Sequence, residues 1–152
     1  MKTQKCEYCE KYYQAGKNAV VGVCNNCDDV LKDNQEDKLK AIFDKQMSLQ
    51  TRLGYTQSEL LQNQEFININ ILAMLDELSE ALRETQWKNP KVIKYGWKKT
   101  QEFNAPKFKD ELIDMLHFFV NLCISAGLTH EMLYIRYMSK NRENFKRQDR
   151  GY

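Results

Sequence analysis

The chain has 152 residues, 42% of them hydrophobic and 29% charged, with a formal net charge of +2. That length suits one main domain with its own core and room for a small appendage. The weak net charge excludes strong bulk attraction to nucleic acid, and no run of about 18 apolar residues exists to span a membrane. The N-terminal Met-Lys-Thr-Gln-Lys-Cys lacks the apolar stretch of a signal peptide, so a cytoplasmic location is expected.

Residues 1–31 carry Cys6-Glu-Tyr-Cys9 and, fourteen residues later, Cys24-Asn-Asn-Cys27. Two such knuckles can wrap one tetrahedral Zn²⁺ through four thiolates. With no secretion signal, a zinc-ribbon-like β module is expected in preference to two disulfides. Protein would fill all four positions, so Cys6, Cys9, Cys24 and Cys27 make a closed, structural zinc site. The insert reads as a hairpin pairing Tyr12-Tyr13 with Ala19 to Val23 around the turn Ala15 to Asn18. Residues 1–32 hold five lysines against four acids, which is no basic patch; a protein partner is the better candidate for this module. The fifth cysteine, Cys123, falls in an apolar run and reads as a buried, inert thiol.

Residues 32–38 are polar and charged, a linker to an all-α domain over 39–152. Its first helix has Leu39, Ile42, Phe43, Met47 and Leu53 as the apolar set, with Gly54 as the stop. Gln46 and Gln50 share a face of it and, taken alone, read as two solvated amides. Thr56-Gln-Ser-Glu59 is a capping box that opens a second helix running to about Trp87. Residues 88–105 break the periodicity and read as a long loop. Asn104-Ala-Pro106 starts a third helix that ends at Gly127, and Thr129 caps a fourth through about Gln148. The expected architecture is a four-to-five-helix bundle behind the small β module.

Two acidic signatures sit within strongly apolar stretches: Glu77-Leu-Ser-Glu80, and Glu111-Leu-Ile-Asp114. Residues three apart lie about 60° apart on a helix, so each helix shows two carboxylates on one face. Ile71, Leu75, Leu78 and Leu82, with Leu112, Met115, Leu116 and Phe119, supply the stripe expected to pack both helices into the core. Four carboxylates beside a core would repel one another and lose hydration. Divalent cations relieve that strain, and Mg²⁺, in two or more copies, suits a carboxylate site that also receives phosphates. Lys140, Asn144 and Arg147 fall on one face of the basic last helix, where Arg136 to Arg150 has six Lys or Arg against two acids; these can hold phosphate oxygens. Gln46 and Gln50 can address a base edge, and Trp87 can stack on it. The contrasting reading is a non-catalytic zinc-ribbon module that binds nucleic acid or protein, for which four carboxylates beside a core serve no purpose.

At these residues the chain resembles the all-α nucleotide pyrophosphohydrolase superfamily of MazG type, and most closely its dimeric dUTPase branch. The likeness covers about residues 37–152. It rests on Gln46-x-x-Leu49-Gln50, Glu77-x-x-Glu80, Glu111-Leu-Ile-Asp114-Met-Leu-His117-Phe118, and Lys140-x-x-x-Asn144-x-x-Arg147-Gln148. The resemblance implies that Glu77, Glu80, Glu111 and Asp114 ligate Mg²⁺, with Glu80 activating the attacking water. It places Phe118 on the deoxyribose, Lys140, Asn144 and Arg147 on the phosphates, and Gln46, Gln50 and Trp87 toward the base. It further implies a homodimer that hydrolyses dUTP to dUMP and pyrophosphate, with dCTP as the alternative substrate. Gln50 stands where the family commonly has Asn, and the zinc knuckle lies outside the likeness.

Overall fold

The computed structural model describes residues 3–5, 12–14, 37–87 and 102–151. Two short strands, β1 (Thr3–Lys5) and β2 (Tyr12–Gln14), pair antiparallel with Lys5 opposite Tyr12. The Tyr12-Tyr13 strand thus has residues 3–5 as a partner among the described residues. The Ala19 to Val23 stretch expected to pair with it lies outside the described residues, as do Cys6, Cys9, Cys24 and Cys27.

Five helices follow among the described residues. Helix α1 (Lys38–Arg52) starts where the Asp37 carboxylate accepts from the amides of Leu39 and Lys40. It stops at Gly54, whose φ of +97° a side chain would resist. Beyond it the structure departs from the single long helix expected after Thr56. The capping box forms, with the Thr56 amide donating to Glu59 at 2.8 Å, but α2 (Gln57–Leu60) lasts one turn. Gln62 adopts a φ of +53°, and a second cap, Asn63 accepting from the Phe66 amide at 3.0 Å, restarts the chain as α3 (Gln64–Arg83). The break is held from outside. The Gln62 amide donates to the Ser125 carbonyl, and the Ser125 hydroxyl donates to the Leu60 carbonyl at 2.7 Å. Leu60 is thereby buried completely.

Helix α4 (Ala105–Ser125) has Pro106 in its first turn and ends before Gly127, at φ +71°. Thr129 caps α5 (His130–Asp149) by accepting from the Met132 amide. Helices α3 and α4 form the main packed pair, with α1 and α2 laid against α4 and α5 touching α1. The core is Phe43, Leu60, Phe66, Val120, Cys123 and Ile124, flanked by Leu39, Met47, Leu128 and Leu133. Cys123 is buried and free, as expected, and burial pushes its thiol pKa up.

The apolar stripe meets a different fate from the one its periodicity suggests. Ile71, Leu75, Leu78, Leu82, Leu112, Leu116 and Phe119 are all exposed, Leu75 to 54%. Only Met115 of that set is partly covered. On α3 the residues turned inward are Phe66, Asn70 and Ala81, and on a helical wheel Glu77 falls on that side. The carboxylate face meets α4, and the leucine face points away. Among the described residues no single helix is long and apolar enough to cross a membrane.

Candidate active site

A backbone staple explains how the acids meet. The Asn104 amide donates to the Glu84 carbonyl at 2.8 Å, pinning the end of α3 beside the start of α4. Glu77 lies seven residues before Glu84 and Glu111 seven after Asn104. At about 1.5 Å per residue, both sit about 10 Å from the pinned point and are therefore level. One carboxylate oxygen each from Glu77, Glu80 and Glu111 falls within 4.8 Å of the others. Asp114 is more exposed and stands outside this tight group, although its charge reaches Glu77.

Crowding has an electrostatic signature. The Glu77 carboxyl is held above the ordinary carboxylate range, first by burial, then by a hydrogen bond with Glu111, then by the charges of Asp114, Glu111 and Glu80. Glu80 is oriented from its own helix, its Oε1 lying 2.9 Å from Arg83 Nη2, while Arg83 Nη1 donates to Ser79 at 3.2 Å. Such a group of hard oxygen donors, short of positive charge, fits Mg²⁺ in chemistry and in spacing.

Gln46 and Gln50 are not the solvated amides that their spacing suggested. Each is only 4% exposed. Gln46 Nε2 donates to Asn121 Oδ1 at 2.7 Å and Gln50 Nε2 to the same oxygen at 3.1 Å. Asn121 Nδ2 donates to Asn70 Oδ1 at 2.7 Å, and Asn70 Nδ2 to the Phe66 carbonyl. At the outer end Gln46 Oε1 meets His117 Nδ1 at 2.7 Å. Three helices are thus joined by amides whose burial would be costly without partners. Asn70 and Arg83 join the site without belonging to any of the sequence motifs. Asn70 has a readable signal, since an amide inside the apolar stretch Phe66-Ile-Asn-Ile-Asn-Ile-Leu72 must be partnered once buried.

The other expected residues are more dispersed. Phe118 is half-buried on α4, next to His117. Trp87 is exposed just past α3. Lys140, Asn144 and Arg147 lie exposed along α5, Arg147 facing Glu143 at 3.8 Å. Among the described residues, no hydrogen bond or ion pair links these three to the carboxylates.

Comparison with known proteins bears on this arrangement. The model of the dUTPase family matches residues 38–129, which contain all four acids and the amide network. A dCTP pyrophosphatase of Enterobacteria phage LZ5 is 32% identical over 143 residues, covering 76% of this chain and 83% of that protein. A dCTP pyrophosphatase of Enterobacteria phage T4 is 29% identical over 150 residues, covering 82% and 87%. No solved structure gives a significant match.

Proposed function

The chain belongs to the dUTPase family and is on that ground a nucleoside triphosphate pyrophosphohydrolase, and we propose that it hydrolyses dCTP and dUTP to the monophosphate and pyrophosphate. The observation that carries this reading is the meeting of Glu77, Glu80 and Glu111 across the α3–α4 pair. The family supplies the uracil expectation, and the two phage relatives, by name, the cytosine one.

Glu77, Glu80 and Glu111, with Asp114 at the rim, would hold Mg²⁺. Bound there, it would neutralise charge on the triphosphate and on the departing pyrophosphate. Glu80 accepts the proton of the attacking water as the new phosphorus–oxygen bond forms and the bond to pyrophosphate breaks. Its ion pair with Arg83 fixes the carboxylate for that transfer. Phe118 packs on the sugar, Lys140, Asn144 and Arg147 grip phosphate oxygens, and Trp87 addresses the base, while the buried Gln46 and Gln50 act through Asn121 and His117 and do not touch the nucleotide.

The leucine face supports a homodimer. Ten large apolar side chains of α3 and α4 are exposed in a single copy, seven of them from the expected stripe, and an area of this kind marks an association surface. Joining two such faces would complete a bundle core. The N-terminal cysteines would hold a structural Zn²⁺ apart from the chemistry.

Pyrophosphate release from each deoxynucleoside triphosphate with Mg²⁺ tests the assignment. Turnover should concentrate on dCTP and dUTP, and Glu80→Gln should lower it by roughly 10²–10⁴-fold with the helical signal unchanged. Equal turnover of purine triphosphates would contradict the pyrimidine assignment, and silence with all of them would contradict hydrolysis.

A further inference from the structure

The amide relay has a direction, and the direction can be read from one end. The Phe66 carbonyl can only accept, so the Asn70 group within 2.7 Å of it must be the NH₂. Asn70 Oδ1 then faces Asn121 and must receive its NH₂. That leaves Asn121 Oδ1 to accept from both Gln46 and Gln50, as the two lone pairs of a carbonyl allow. Gln46 has its NH₂ committed, so its Oε1 is what meets His117. Turning any one amide over would set two acceptors or two donors against each other in a buried site. The hydrogen between Gln46 Oε1 and His117 Nδ1 must therefore belong to histidine.

We propose that Asn70, Asn121 and Gln46 are positioning residues that fix neutral His117 in its Nδ1–H form, so that Nε2 offers a bare acceptor to a donor group on the bound nucleotide. Most neutral histidines in water favour the opposite tautomer. The His117 side chain is exposed, and its Nδ1 is held by the buried Gln46. It stands three residues beyond Asp114 and next to Phe118, at the carboxylate end of α4. The donor it would meet is a base N–H or the sugar 3′-hydroxyl. This second half rests on the hydrolase reading; the tautomer does not.

Long-range ¹H–¹⁵N spectra of the histidine side chains test both halves separately. The chain has two histidines, and His130→Asn identifies the other. At a pH of about 8.5 His117 Nδ1 should show the protonated-nitrogen shift and Nε2 the unprotonated one. Gln46→Met removes the acceptor and should move the hydrogen to Nε2. A wild-type spectrum with the hydrogen on Nε2, or a folded Gln46→Met protein with unchanged shifts, overturns the relay; the wild-type reading decides even if the variant does not fold. Addition of dCMP should move the Nε2 resonance. Persistence of that movement with 2′,3′-dideoxycytidine monophosphate assigns the donor to the base, and its loss assigns the 3′-hydroxyl. Nucleotide binding seen elsewhere in the spectrum without movement of Nε2 overturns the nucleotide-facing role. No binding at all counts against the hydrolase reading, while the tautomer of the free protein still judges the relay.

Discussion

Asn121→Leu replaces the hub of the amide relay with a side chain of similar size that can neither donate nor accept. Gln46 Nε2, Gln50 Nε2 and Asn70 Oδ1 would all lose their partner in a site where the parent residues are 3–4% exposed. Each orphaned buried group costs about 1–3 kcal/mol, which sums to roughly 3–9 kcal/mol before relaxation. Partial rearrangement favours the lower part of that range, about 3–5 kcal/mol, a large share of the roughly 5–15 kcal/mol that holds a typical domain together. Guanidinium unfolding followed by circular dichroism at fixed protein concentration measures the change through the midpoint and slope. The double variant Gln46→Met with Asn121→Leu has one fewer orphan, so its loss should fall short of the sum of the singles by at least about 1 kcal/mol. A loss below about 1 kcal/mol for Asn121→Leu, or strict additivity, would refute the relay as a source of stability.

Glu77 makes a pH prediction. Its folded pKa lies above its ordinary 4.5, so the native chain binds the extra proton, and metal-free stability is full in acid and falls as pH rises from 4.5 through the raised value. Glu77→Gln should flatten that decline, which thermal melts across the acid range would show. Leu75→Asp places a charge in the exposed leucine face; sedimentation should find a dimer for the parent chain and a monomer for the variant, and two dimers would count against that interface. Zinc analysis should return one ion per chain, lost in Cys24→Ser, with retention of full zinc speaking against the four-thiolate site.

How much of this was readable from sequence varies by residue. Helix ends were legible where a local feature decides them, as at Gly54, Pro106 and Thr129. The break after Leu60 was not, because its cause is Ser125, 65 residues away, clamping the Leu60 carbonyl. The acids were found by spacing, and the Glu84–Asn104 staple explains why they meet. The orientation of α3 differs from its apolar pattern for a physical reason. Amphipathic patterning locates an apolar face without saying what covers it, and here the single copy leaves Leu75 and Leu78 uncovered while turning Asn70 inward. Gln46 and Gln50 share the same lesson, since amides can be buried once Asn121 satisfies them.

The central claim is that Glu77, Glu80 and Glu111 form one divalent-cation site. Mn²⁺, a paramagnetic stand-in for Mg²⁺, allows its binding to be measured directly by electron paramagnetic resonance without any turnover. The parent chain should bind it, and Glu77→Gln and Glu111→Gln should each weaken that binding by about tenfold or more, or at least about 1.4 kcal/mol. Undiminished Mn²⁺ affinity in both folded variants would contradict it.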